Sequence, residues 1–203
     1  MPPLPPRAFA TRPLVTYLPP AGTFWLRLHH RRFSNPLGFG KGPSRFSDPR
    51  PLPEEERYGL IYAGSSLKVC VLETIVRDRG DARLGDLLIA RHEFEETICA
   101  ELLTATDLKL VDLRGDGAIK MGVPTDALRA SDHSLSQAWG LAIHEHDTSP
   151  DGLIFPSRLN DEVNIAVFDR ALSKLSCRAS GPLLDRASEL AAVIDTLALA
   201  IVR

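Results

Sequence analysis

Three side chains in this 203-residue chain stand where chemistry is possible. Ser157 closes the apolar run "DGLIFPS", directly after Pro156 and before Arg158. Glu73 interrupts the apolar "KVCVLETIVRD", and Arg27 lies between Trp25 and His29 in "TFWLRLHH". Each has a plain reading beside the chemical one. Ser157 has no GxSxG elbow around it and no base beside it in sequence, so it is a turn residue or a hydrogen-bonding group rather than a nucleophile. Glu73 either pairs at the surface with Arg77, four residues on, worth about 0.2–0.5 kcal/mol, or faces a cleft. Arg27 is either a snorkelling edge residue or a planar fork suited to a diphosphate.

Other chemistries are weaker. "HEFEE" at His92 and "HEH" at His144 to His146 invite a zinc site, but HExxH needs two histidines at i and i+4 on one helix face; no metal is expected. Gly38, Gly40 and Gly42 would let the backbone approach a ligand, yet their spacing matches neither a Walker loop nor a Rossmann fingerprint. Cys70, Cys99 and Cys177 are odd in number and far apart, which argues against a disulfide framework and for a reducing cytoplasm.

The elements that must position these residues follow from periodicity. "TFWLRLHH" alternates as a strand, with Phe24, Leu26 and Leu28 on one side and Trp25, Arg27 and His29 on the other. A Gly- and Pro-rich stretch from Arg31 to Arg57 has no period, and loops of that length are usually functional or disordered. "YGLIYAG" predicts a buried strand, and "SSLKVCVLETIVRDRG" a helix capped by Ser65 or Ser66 and stopped at Gly80. "GDLLIARHEFEE", "ICAELL" and "LKLVDL" read as short strands. "DHSLSQAWGLAIHEH" predicts a helix with Leu135, Ala138, Trp139, Ala142 and Ile143 in one stripe. "GLIFPS" and "NIAVF" form a hairpin, "LLDRASELAAVID" a helix and "TLALAIV" a closing strand. Strands dominate without regular alternation with helices, so the class is α+β with mostly antiparallel sheet.

Hydrophobic residues at 44% and charged residues at 25% are ordinary for a globular domain, and a chain of this length supports one core plus appendages. The start, "MPPLPPRAFATRPLVTYLPP", lacks an apolar signal core, and no run of about 18 apolar residues occurs. A proline-rich arm, residues 1–22, is expected to precede a single domain, 23–203. The net charge of −2 hides an asymmetry: residues 1–53 carry eight Lys and Arg against the single acid Asp48, and the remaining 150 carry 16 bases against 25 acids. A basic quarter of this kind serves a phosphate ligand, a nucleic acid, or nothing beyond solvation.

Taken in order, these stretches resemble the RES domain, a family named for its Arg, Glu and Ser. The resemblance runs from about Thr23 to Val202. It is carried by "FWLRLHH" with Arg27, "GPSRF" with Arg45, "LIYAGSS" with Tyr62, "LETI" with Glu73, and "GLIFPSRLNDEVNIAVF" with Ser157. The chain departs from the family's usual look in its proline-rich arm and in the Gly/Pro insertion before "SRF".

The resemblance implies an ADP-ribosyltransferase-like fold and consumption of NAD as a substrate by a toxin of a type II toxin–antitoxin pair. The implied partner is an Xre-type antitoxin with a helix-turn-helix domain. It implies roles as well: Glu73 stabilises an oxocarbenium-like transition state, and Arg27 and Arg45 clamp the diphosphate. Tyr62 stacks on or edges the nicotinamide, and Ser157 hydrogen-bonds the ribose or carboxamide. Hydrolysis or phosphorolysis of NAD is the first expectation and ADP-ribosylation of a protein the second. A non-enzymatic nucleic-acid or partner-binding module using the basic quarter is the third; it predicts affinity falling steeply with salt. No helix-turn-helix, zinc-finger or aromatic-platform motif accompanies that quarter, so no direct nucleic-acid binding is expected.

Overall fold

A computed structural model describes residues 3–80 and 84–203. Its strands are β1 (Thr16–Tyr17), β2 (Phe24–His30), β3 (Leu60–Gly64), β4 (Leu87–Ala90), β5 (Thr97–Thr104), β6 (Leu110–Asp112), β7 (Gly152–Pro156), β8 (Val163–Phe168), β9 (Leu175–Pro182) and β10 (Leu199–Val202). The α-helices are α1 (Leu67–Val71), α2 (Arg91–Glu95), α3 (Gly117–Met121), α4 (Asp126–Arg129), α5 (Ser134–His144) and α6 (Ala187–Thr196). Eight strands form one sheet in the order β1-β6-β7-β8-β3-β2-β5-β9. Every pair in it is antiparallel except β6 and β7, whose parallel connection is the crossover through α3, α4 and α5. The α+β, mostly antiparallel class is the one read from the sequence.

The central strands are apolar on both faces because both faces are covered. On β3, β7 and β8 one face carries Leu60, Leu153, Phe155, Ala166 and Phe168 into a core shared with Phe46, Leu135, Trp139 and Ile143. The opposite face sends Ile61, Ala63, Ile154, Ile165 and Val167 into a second core with Trp25 and Leu102. A third core packs α1 between β2 and α6, joining Leu26 and Leu28 to Val69, Cys70, Leu190 and Val193.

Three details differ from the sequence reading, and the start of the chain adds a further observation. "RHEFE" is the short helix α2 rather than strand, since Phe94 needs only one buried position and the surrounding charges stay in solvent. The closing strand β10 joins not the main sheet but β4, in a separate parallel pair. Strand β9 has no counterpart in that reading, because an edge strand with one exposed face and the small residues Ala179, Ser180 and Gly181 gives little periodic signal. The proline-rich start docks on the domain. Phe9 is buried edge-to-face on Trp139, Trp139 Nε1 donates to the Pro3 carbonyl at 3.2 Å, and β1 pairs with β6.

Candidate active site

The site opens where two strands part. Strand β2 pairs with β5 along all seven residues, and β3 pairs with β8 along all five. Between β2 and β3, however, the register holds at Leu26↔Gly64 alone. Arg27, the next residue on β2, has no partner on β3 and borders the gap. The loop that follows β2 returns to bridge the free edge of β3, with Gly40 and Leu60 exchanging backbone hydrogen bonds of 3.0 and 2.9 Å. The result is a cleft of about 710 Å³, within the usual range for small-molecule sites.

Its floor follows from the two-residue period of the strands. Leu60 and Tyr62 on β3, Phe155 on β7 and Asn164 on β8 lie on one face and line the cleft. The loop adds Phe33, Ser44 and Arg45, and the segment before α5 adds His133. The helix after β3 adds Glu73, Thr74 and Arg77, and the β7–β8 loop adds Arg158. Arg27, Arg45, Arg77 and Arg158 thus face the acids Glu73 and Asp78. Arg158 is paired with Asp78, so the cleft carries a surplus of positive charge suited to an anionic ligand.

Helix α1 is placed by its cap and by a glycine. The Ser66 hydroxyl accepts from Val69 N at 3.1 Å and donates to Glu162 on the hairpin loop; Lys68 also pairs with Glu162. A Cβ on Gly64 would meet Val69 Cγ1 at 2.5 Å and Cys70 Sγ at 2.8 Å, so only glycine lets the helix lie this close to the strand. The helix then widens into a π-helical turn, Leu72–Val76, a distortion common at functional sites. Arg77 ends it with φ 51°. Leu72, Ile75 and Val76 are buried while Glu73 is exposed to the cleft. The surface pair with Arg77 is not formed: the Arg77 guanidinium donates instead to the Thr74 carbonyl.

Two donors converge on one carboxylate oxygen. Ser157 Oγ donates to Glu73 Oε1 at 2.6 Å and Asn164 Nδ2 donates to the same oxygen at 3.2 Å. The Ser157 hydroxyl in turn accepts from Leu159 N at 3.1 Å. Its backbone N–H donates to Glu162 O at 2.7 Å. Ser157 is fully buried and stands behind Glu73 rather than on the cleft wall. In this arrangement its hydroxyl holds the acid.

The other expected residues do line the cleft. Arg27 is desolvated, which lowers its pKa to about 10, and the one hydrogen bond of its guanidinium among the described residues runs to the Pro36 carbonyl at 3.0 Å. Arg45 is likewise lowered by burial and repelled by Arg158, against the attraction of Glu73; it donates to the Ala130 carbonyl at 3.0 Å. The Tyr62 phenol, pushed up to about 12 by burial, accepts from Phe46 N at 3.0 Å and lies 3.1 Å from Ser44 Oγ. Its hydroxyl thus fixes the turn bearing Arg45 and its ring edges the cavity. Sequence reasoning alone misses Asn164, Arg158, His133 and Phe33. Only Asn164 leaves a signal there, as the one polar residue inside the apolar strand "VNIAVF".

The remaining candidates fall elsewhere. Among the described residues no group of three or more His, Cys, Asp and Glu side chains could hold a metal ion. His144 stacks on Tyr58 at 4.3 Å, and His146 bonds the Arg12 carbonyl at 3.0 Å. Of the basic quarter, Arg50 is tied to Asp48 and Glu145 and Lys41 to the Glu55 carbonyl, while Arg27 and Arg45 belong to the cleft. No described helix is long and apolar enough to cross a membrane.

Comparison with known proteins decides the family. The RES domain model matches residues 21–186. The chain belongs to the RES domain family. A probable toxin, y4kH, of Sinorhizobium fredii (strain NBRC 101917 / NGR234) is 46% identical over 127 residues, which are 63% of this chain and all of that protein. In the crystal structure of the M. tuberculosis MbcT–MbcA toxin–antitoxin complex, a chain superposes with a TM-score of 0.61 at 19% identity. The match covers 84% of this chain and 90% of that one. At that identity it is the RES fold that is shared.

Proposed function

We propose that this RES protein binds NAD in the cleft and breaks the bond between ribose and nicotinamide, acting as the toxin of a toxin–antitoxin pair. The observation that carries the reading is Glu73. It is an exposed carboxylate fixed through one oxygen by Ser157 and Asn164, in a cleft lined by four arginines.

The chemistry asks for this and little more. The bond to be broken joins the ribose anomeric carbon to a cationic pyridinium nitrogen. Its electron pair leaves with nicotinamide, which departs neutral, so no acid need protonate the leaving group. Ordinary glycosides differ, since there one of two carboxyl groups must do so. One carboxylate suffices, hydrogen-bonded to a ribose hydroxyl through Glu73 Oε2 and stabilising positive charge as it develops. Arg27 and Arg45 bind the diphosphate and hold the ribose in register. Tyr62 borders the nicotinamide, and Ser157 acts through Glu73. The acceptor's oxygen then bonds to the anomeric carbon and its proton passes to solvent.

The similarity to a probable toxin and to the fold of a toxin bound to its antitoxin supports a cytoplasmic poison kept in check by a partner, with an Xre-type helix-turn-helix protein as the candidate. Expressing the protein in cells without a partner should deplete NAD and arrest growth; arrest with NAD unchanged would refute the reading. Incubating the purified protein with NAD labelled in its adenylate half and a lysate distinguishes the acceptors. Small labelled products mean hydrolysis or phosphorolysis, and a labelled protein band means transfer.

A further inference from the structure

We infer that Asn164 is a positioning residue for the reaction, acting by fixing which oxygen of Glu73 faces the substrate. The inference rests on the reading of Glu73 given above and adds a residue that neither the motif nor the resemblance assigns.

Asn164 is buried as the second residue of β8. It is paired across the sheet with Gly64 on one side and Phe155 on the other. A polar side chain in that place is costly unless hydrogen-bonded. Its amide donates to Glu73 Oε1 at 3.2 Å, the oxygen that Ser157 already approaches at 2.6 Å. A carboxylate on a helix side chain has a free terminal torsion with a broad, two-fold preference. One donor leaves the carboxylate free to rotate about that contact. Two donors, Ser157 just past the end of β7 and Asn164 on β8, both on Oε1, fix the plane of the group, and among the described residues no hydrogen bond reaches Oε2. Gly64 permits the arrangement: a Cβ there would come within 3.3 Å of Asn164 Oδ1, beside the contacts that seat the helix. Asn164 lines the cleft, but its side-chain amide is committed to Glu73 Oε1, so it orients the acid and does not itself react.

The test uses the full-length protein with NAD as the probe. Asn164→Ala should lower kcat about 10²-fold, the size expected when a reacting group is misplaced by about an ångström, with KM for NAD nearly unchanged. In a Glu73→Gln background the same substitution should have little further effect. Asn164→Asp is nearly isosteric and keeps the test usable should the alanine variant fail to fold. Two carboxyl groups in contact share one proton. At low pH the introduced carboxyl group therefore carries a hydrogen to donate to Glu73, and at high pH the pair repels and the orientation is lost. The variant should show a new loss of kcat on the alkaline side that wild type and the alanine variant lack. Wild-type kcat in Asn164→Ala, or an Asn164→Asp profile parallel to wild type, would overturn the inference while leaving the reading of Glu73 intact. Wild-type turnover in Glu73→Gln alone would instead remove the reading on which it rests.

Discussion

Arg27 gives the most discriminating consequence of the site's electrostatics. Among the described residues it has no acidic partner and a single carbonyl as hydrogen-bond acceptor. Burial lowers its pKa from 12.5 to about 10. At ~1.4 kcal/mol per pKa unit, holding this cation in the folded protein costs about 3 kcal/mol, an order-of-magnitude figure. Replacing it with methionine, of similar length and apolar, removes that penalty. The substitution also loses a charge-assisted hydrogen bond worth roughly 1.5–3 kcal/mol. The two nearly cancel, and the added apolar burial tips the balance, so Arg27→Met should leave the ligand-free protein as stable as wild type or up to about 2 kcal/mol more so. For a chain of this size each kcal/mol moves Tm by about 2–4 °C. Thermal melts with and without NAD would measure both halves of the argument. The variant should melt at or above the wild-type temperature, lose the shift that NAD gives wild type, and lose most turnover. A Tm depressed by more than about 5 °C would show that Arg27 is a structural residue. Retained NAD turnover would show that it is no clamp.

Two further consequences concern the scaffold. Gly64→Ala places a methyl group against Val69 and Cys70, an overpacking expected to destabilise by about 1–3 kcal/mol. Because the displaced element carries Glu73, kcat should fall with it; urea titration and steady-state kinetics check the two effects, and a neutral outcome in both would contradict the placement of the helix. Burial lowers the pKa of His144 from 6.5 to about 4, so the unfolded chain takes up a proton below 6.5 that the folded one refuses. Stability present above pH 6.5 is therefore lost as pH falls toward 4, with His29 and His133 lowered by burial in the same direction. Chemical denaturation at pH 7.5 and 4.5 should show this loss, and His144→Phe, which keeps a ring against Tyr58, should reduce it.

How much of this was legible in the sequence depends on the range of the cause. Strands β2, β3, β7 and β8 and the helices at Leu67 and Ser134 announce themselves by local periodicity and caps. They carry Arg27, Tyr62 and Glu73 to the cleft and Ser157 to a place behind Glu73. The family's motif order supplied what periodicity could not, namely that these distant stretches meet. The notch between β2 and β3 was not legible, because it depends on a register that holds at one residue pair and then stops. Nor was the inward turn of Ser157: a serine at a strand end reads the same whether it meets a ligand or a neighbouring carboxylate 84 positions away. His133 and Phe33 reach the cleft from irregular segments, where no period exists to assign a side chain a direction.

The most direct measurement is nicotinamide release from NAD by the purified protein, wild type against Glu73→Gln, with both confirmed folded by circular dichroism. The neutral amide keeps the shape and still meets Ser157 and Asn164 but removes the negative charge, which for a preorganised electrostatic stabiliser is worth about 10²–10³ in rate. Release by wild type and a fall of that size in the variant is the expected result. Equal rates for the two proteins, or no release by wild type, would contradict the assignment of this cleft to NAD cleavage.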